Sequence, residues 1–277
     1  MVRLDYPVEK FEIIIVDDGG SSVLKPHVDP FENELNITLL KQKNSGPASA
    51  RNLGAKNSKG EILVFLDDDC IPPLNWLYVL EASLAEQPAS IIGGKIVNKN
   101  TSNIYAIMSQ LTLDFFYINN RNNENNPGYI STCNLAVPKT IFNEIKGFNS
   151  KFRISEDREF CDRIISNCFD IVYLPDLLIQ HNDYIKTFSG YCARSFRYGR
   201  GAYKYNSMRK LRGLKNIYRN SSLFYKNLKW LFYPFKNEKF GRALKVFILL
   251  IVWHLSISTG LLWESLVSKK LMADDFE

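Results

Sequence analysis

The sequence predicts an α/β fold, a sheet flanked by helices, followed by a helical, basic and hydrophobic C-terminal region. Three observations carry this reading. Short apolar runs rich in β-branched residues alternate with stretches of helical periodicity, as in layered α/β domains. Two acidic clusters, Asp17-Asp18 and Asp67 to Asp69, stop such runs abruptly. From Lys186 to Lys245 sixteen Lys or Arg face one acid, Glu238, a local charge of +15 in a chain of net charge +6.

The elements follow in order. FEIIIVDDGGSS (11 to 22) reads as a buried parallel strand and tight turn, and NITLLKQ (36 to 42) as a second strand. GPASARNLGAKNS (46 to 58) is a helix, with Pro47 near its start and Gly60 past its end. EILVFL is a strand running into the aspartate triplet. NWLYVLEASLAEQP (75 to 88) is a helix, IIGGKIVN (91 to 98) a strand and 103 to 118 a helix. The polar loop NNRNNENNPG precedes YISTCNLAVP (129 to 138), expected as a strand, and KTIFNEI, a short helix closing at Gly147. Ser155 is the expected N-cap of EDREFCDRIISNC, and DIVYLPDLLIQH (170 to 181) is a further strand. A largely parallel sheet is expected, with ligands beyond the carboxyl ends of its strands.

Composition narrows the class. With 277 residues, 45% hydrophobic and 23% charged, the chain is an ordinary globular protein and not a disordered one. Its five cysteines form no C-x-x-C, which points to a reducing cytosolic environment without a disulfide framework or zinc site. The basic region calls for an anionic partner. Residues 246 to 263 carry no charged side chain and, as a helix, extend about 27 Å, close to a bilayer's hydrocarbon thickness. Membrane is therefore preferred to nucleic acid as the partner, with one span or a surface contact both open; a buried helix or an oligomer contact is the alternative. LFYKNLKWLFYPFK (223 to 236) suits the headgroup layer. No signal peptide is expected after Met1.

The aspartate triplet poses an electrostatic problem. Unit charges 4 to 5 Å apart repel by roughly 3 to 4 kcal/mol at an effective dielectric near 20. If the strand geometry persists, Asp67 and Asp69 face the same way and suit a hard divalent cation, Mg²⁺ or Mn²⁺. A solvated acidic turn is the alternative. Asp17 and Asp18, before two glycines, suit a nucleobase or ribose, or simply a turn. Arg51 can pair with a phosphate or with those carboxylates. Glu156 and Asp157 open a helix, where they complement its dipole; the functional reading makes one of them a general base. His181 ends a strand and can face a metal or phosphates, or serve the structure alone.

The order of these motifs, VDDGGSS, GPASARN, the D-D-D triplet with CIPPLNWL, CNLAVPK, GFN and SEDREF, resembles the inverting family-two glycosyltransferases of GT-A fold, over roughly residues 8 to 205. The resemblance implies a GT-A-like domain over 1 to 205, with a Rossmann-type mixed sheet flanked by helices, and a membrane-associated tail over 206 to 277. It implies nucleotide-sugar contacts from Asp17, Asp18, Arg51, Asp67 and Asp68. It implies a metal held by Asp67 and Asp69, the latter more directly, with His181 nearby. Asp157 would be the base for the acceptor hydroxyl, with Glu156 beside it. RSFRYGRG (194 to 201) is similar in place to the Q-x-x-R-W motif of processive members, and implies Arg197 near the diphosphate or acceptor.

The expected activity is transfer of a sugar, with inversion, from a metal-bound nucleotide sugar to a glycan or lipid-linked acceptor hydroxyl. The place is the cytoplasmic face of the cell membrane, in polysaccharide or glycolipid synthesis. The family's opening strand, P-x-Y-N-like turn and helix have no counterpart before residue 11, so an N-terminally truncated domain is expected. A non-catalytic pseudo-glycosyltransferase tethered to the membrane is the alternative function.

Overall fold

The computed structural model describes residues 3–119, 128–214 and 239–274. The aromatic and basic stretch at 223 to 236 and most of the asparagine-rich loop lie outside the described residues. The chain divides into two compact units, one of residues 1–99 and 120–182, the other of residues 100–119 and 183–277.

In the first unit, β1 (Ile13–Asp17) pairs in parallel with β2 (Ile37–Lys41), and the short helix α1 (Lys25–Val28) lies between them in sequence. Helix α2 (Pro47–Asn57) follows, then β3 (Ile62–Phe65), the two-residue strand β4 (Cys70–Ile71), α3 (Trp76–Glu86) and β5 (Ile91–Asn98). After the loop come β6 (Leu135–Pro138), α5 (Lys139–Glu144), α6 (Glu156–Ser166) and β7 (Ile171–His181). The five later strands form one sheet in the order β3-β6-β5-β7-β4.

This sheet is mixed, as the resemblance to the GT-A fold implies, and less parallel than the alternation of strands and helices alone suggests. Only β5 and β7 run parallel within it; β3–β6, β5–β6 and β4–β7 are antiparallel. The segment 129 to 138 yields only the four residues of β6, because a 3-10 turn takes Thr132–Asn134 and the Ser131 hydroxyl accepts the Cys133 N–H. Buried Asn134 then ties elements together: its amide donates to the Leu177 carbonyl at 2.6 Å and its oxygen accepts the Trp76 indole N–H at 3.1 Å.

The core lies between this sheet and helices α2, α5 and α6. Phe65, Phe142, Phe148 and Phe160 form one aromatic cluster with centroids 4.3 to 5.7 Å apart. Each fully buried ring contributes roughly 1.5–3 kcal/mol through burial. Asn52 on α2 clasps the backbone of Phe148 through both its amide groups, at 2.7 and 2.8 Å. That clasp fixes the approach to α6.

The second unit contains α4 (Ile104–Asn119), α7 (Phe188–Leu211) and α8 (Phe240–Asp274). Residue 205, where the sequence reading divides the chain, lies inside α7. Its core gathers Met108, Tyr191, Val246, Leu249, Leu250 and Trp253. Buried Asp183 accepts hydrogen bonds from Arg194 Nη1 at 2.8 Å and from the Ser109 hydroxyl. Arg194, at the place of the glutamine in Q-x-x-R-W, is thus a tie between α4 and α7. Phe240–Ser268 is long and apolar enough to cross a membrane, yet only 28% of its most apolar window is buried.

Candidate active site

β3 ends at Phe65, and the Cys70 N–H bonds the Asp67 carbonyl at 3.1 Å, closing a turn over the aspartates. The turn breaks the two-residue alternation of a strand. Asp67 and Asp69 accept hydrogen bonds from different side chains, and the Cys70 thiol also donates to Asp69 Oδ1 at 3.6 Å. Asp67 Oδ1 accepts Arg51 Nη2 at 2.8 Å and Oδ2 accepts the Cys133 thiol at 3.1 Å. Asp69 Oδ2 lies 3.1 Å from His181 Nε2. Asp68, between them, is exposed.

The second pairing follows from the sheet. β4 pairs with the end of β7 so that Cys70 stands opposite His181, and the Asn182 N–H donates to the Asp69 carbonyl at 2.9 Å. Burial raises the Asp69 carboxyl, and the His181 hydrogen bond and charge outweigh it, leaving the group below its ordinary range.

Arg51 joins two acids. Besides Asp67 it donates through Nη1 to Glu156 Oε1 at 2.7 Å, and its guanidinium lies 5.8 Å from the centroid of the Phe148 ring. Burial opposes its charge, but the two carboxylates overcome this and hold it firmly protonated. Burial and the adjacent Asp157 push the Glu156 carboxyl up, against the pull of Arg51. Glu156 is thus a buried partner of the arginine.

Asp157, the next residue, is half-buried. Its Oδ2 accepts the Tyr129 hydroxyl at 2.8 Å and its Oδ1 accepts the Arg158 N–H at 2.8 Å. Ser155 precedes this helix but does not cap it with its side chain: its φ is +66°, in the left-handed region, and no hydroxyl bond to the first turn forms. The acids of the first turn, Glu156, Asp157 and Glu159, instead complement the helix dipole.

At the end of β1, buried Asp17 accepts the Gly20 N–H at 2.8 Å and lies 3.7 Å from Lys41 Nζ, so it holds its own turn. Asp18 accepts Gln42 Nε2 at 2.6 Å and the Ser45 and Gly46 N–H groups, each at 2.8 Å. Burial raises this carboxyl; those three bonds and the Arg153 charge together prevail and lower it. Gly46 has φ +92°, which favours glycine, and this conformation presents its N–H to Asp18 at the start of α2. Three of about four acceptor positions on Asp18 are used. Arg197 is exposed on α7 of the second unit.

Cys133, Tyr129 and the Gln42-Ser45-Gly46 loop are partners the sequence reading did not single out. Cys133 lies in the noted CNLAVPK motif, whereas nothing about Tyr129 in sequence marks its tie to Asp157.

The donor set fits a small divalent cation in part. Ligands at right angles and about 2.1 Å from an octahedral magnesium-like ion are about 3.0 Å apart. The Asp69 and His181 atoms meet that spacing. Among the described residues no three His, Cys, Asp or Glu side chains gather as a closed cage. A hard cation that takes its remaining ligands from water and substrate phosphates needs no such cage.

The mixed sheet with its flanking helices, with Asp67 to Asp69 following β3 and Asp17-Asp18 at the end of β1, places the chain in the GT-A fold class. Residues 3–145, just over half of the chain, match the family model described as Glycosyl transferase family 2, and the chain belongs to that family. Among its relatives is Glycosyltransferase AglE of Haloferax volcanii, 24% identical over 199 residues, 71% of this chain and 64% of that one. The chain thus spans less than two thirds of that relative's length. Among solved structures, S. aureus TarS 1-349 in complex with UDP-GlcNAc superposes with a TM-score of 0.57 at 15% identity, covering 97% of this chain and 86% of that one. Mannosyltransferase PcManGT from Pyrobaculum calidifontis, in complex with GDP-Man and Mn²⁺, gives 0.57 at 17% identity over 99% and 74%.

Proposed function

We propose that this protein transfers a sugar, with inversion at the anomeric carbon, from a nucleotide sugar to a hydroxyl of a glycan or lipid-linked acceptor. The work would take place at the cytoplasmic face of a membrane, in cell-envelope polysaccharide or glycolipid synthesis. The observation that carries the reading is the turn after β3, which holds Asp67 against Arg51 and Asp69 against His181. The GDP-Man and Mn²⁺ bound to the mannosyltransferase, and the UDP-GlcNAc bound to TarS, support a nucleotide-sugar donor and a divalent ion.

Asp67, Asp69 and His181 would hold Mg²⁺ or Mn²⁺, Asp69 the more directly, and that ion would supply positive charge to a diphosphate leaving group. Asp67 is in addition paired with Arg51, and Asp68, which is exposed, would bond a sugar hydroxyl. Asp18 keeps an acceptor position for the base or ribose, and Asp17 holds the turn that presents it. Arg197 is retained as a contact for the diphosphate or acceptor.

Asp157 is the base. It receives the proton of the acceptor hydroxyl while that oxygen bonds to the anomeric carbon. The bond from that carbon to the diphosphate oxygen breaks, its electron pair leaving with the nucleoside diphosphate. One displacement from the opposite face inverts the centre, and no covalent enzyme intermediate is needed. Tyr129 orients Asp157, and Glu156 positions Arg51 without taking part in proton transfer.

The test is donor hydrolysis or transfer with and without added Mn²⁺. Asp67→Ala combined with Asp69→Ala is expected to abolish the metal-dependent turnover. Unchanged turnover in that double variant would overturn the assignment.

A further inference from the structure

Helices α7 and α8 are bound to each other along their length. The Tyr191 hydroxyl donates to the Leu249 carbonyl at 2.9 Å. Further along, Arg200 Nε and Lys204 Nζ reach the buried Glu264 carboxylate at 2.6 and 3.3 Å. Between these ties the backbones touch: a Cβ on Gly199 would run into the Ile257 carbonyl, and one on Gly260 into that of Phe196. Partners advance together along both helices, so the two run parallel.

Among the described residues, nothing covers the opposite face of α8. Leu244, Ile248, Ile251, Leu255, Leu262 and Leu266 are 42% to 62% exposed. Their steps of four, three, four, seven and four residues place them on one stripe, about 33 Å long at 1.5 Å per residue. Trp263 beside it is 55% exposed. Between Ile248 and Leu266 the only charged residue is Glu264, and it is buried. Exposed Ser258 and Thr259 interrupt the stripe between Leu255 and Leu262; the apolar segments on either side, Leu244–Leu255 and Leu262–Leu266, still make an exposed apolar surface of the kind that marks an interaction site.

We infer that α8 lies in the plane of an anionic membrane, its Leu244–Leu266 stripe in the acyl boundary, and does not cross the bilayer. The charge of the adjoining sequence selects the partner, since the +15 carried from Lys186 to Lys245 complements acidic headgroups. The helix pair excludes the span. An upright α8 with α7 attached would carry Arg194, Arg197, Arg200 and Lys204 into hydrocarbon, where charged side chains are strongly disfavoured. An α8 drawn away from α7 would strip Glu264 of both cations and open the glycine contacts. Lying flat keeps every one of these interactions and wets none of the stripe.

The experiment uses the full chain with vesicles of phosphatidylcholine alone or with phosphatidylglycerol. Flotation is expected with the anionic vesicles, and Ile248→Asp with Leu255→Asp is expected to weaken it at least tenfold with unchanged circular dichroism. Nitroxide labels on Leu244→Cys, Leu255→Cys and Leu266→Cys, read against the labelled parent, are expected at one shallow depth. A label at 255 in the bilayer centre with 244 and 266 near opposite surfaces would overturn the inference in favour of a span. Absence of anionic-vesicle binding would overturn it too, whether sedimentation then shows dimers or monomers. None of these readouts depends on sugar transfer, so the two proposals fail separately.

Discussion

Arg51 and Glu156, 105 positions apart in the chain, meet at 2.7 Å in the interior of the first unit, and the same guanidinium holds Asp67 at 2.8 Å. This one side chain couples the turn after β3 to the start of α6. It thereby sets the distance between the donor end of the proposed site and its base.

Removing Arg51 leaves two facing carboxylates, one of them deeply buried. Arg51→Met is expected to cost about 3 kcal/mol, in the range for breaking a buried pair, and urea unfolding measures it. Glu156→Gln keeps a hydrogen-bond acceptor for Arg51 and should cost less. An Arg51→Met variant as stable as the parent would show that the pair does not tie the two elements.

Asp69 and His181 are proposed to bind a cation together. Calorimetric titration with Mn²⁺ and a nucleoside diphosphate should show each of Asp69→Asn and His181→Ala weakening metal-linked binding by at least about tenfold, the loss that even outer-sphere substitutions cause. Asp17→Asn, which changes only a turn, should leave the metal linkage in place. Equal metal affinity in the parent and His181→Ala would remove the histidine from the set.

For the base, Asp157→Asn is expected to lower turnover by roughly 10²- to 10⁴-fold, the usual reach of general base catalysis. Tyr129→Phe should lower kcat by a smaller factor and leave the donor KM unchanged, because the Tyr129 hydroxyl meets the proposed base Asp157 directly. A change confined to the donor KM would place the tyrosine in the donor pocket instead.

The second unit carries a pH-dependent contribution to stability. Burial raises the Asp183 carboxyl, but the Arg194 charge and the Ser109, Ile185 and Arg194 hydrogen bonds lower it below 3.8; Glu264 is likewise lowered below 4.5 by Arg200 and Lys204, against the effect of burial. Folded values below the unfolded ones mean stabilisation that is complete above those pH values and lost as pH falls through the folded values. Asp183→Asn is expected to be less stable at pH 7 by about 3 kcal/mol, as for a broken buried pair. The difference should shrink as unfolding is followed from pH 5 to pH 2.5; a difference constant with pH would contradict the assignment.

Several local features are legible in the sequence. Strands β1, β2, β3, β5 and β7 and helices α2, α3 and α6 lie where apolar periodicity and the Pro47 and Gly60 boundaries place them. The sheet's direction is not legible, because an apolar run of four to six residues looks the same in parallel and antiparallel pairing. β4 is two residues long and has no periodicity to detect; yet its pairing with β7 is what brings Asp69 to His181. Tyr129 and Cys133 belong to the site's surroundings only through contacts 28 and 66 positions away.

By itself the sequence determined the α/β class, the placing of the acids at strand ends and the first turn of α6, and the charged and apolar halves of the C-terminal region. These are properties of neighbours in the chain, governed by local periodicity, turn chemistry and composition. The tertiary structure alone decided that Asp67 meets Arg51 while Asp69 meets His181, that Glu156 serves Arg51 while Asp157 meets Tyr129, and that, among the described residues, one face of α8 stays uncovered. Each of those depends on which distant groups compete for a carboxylate or cover a helix face, and that competition is settled only when the chain has folded.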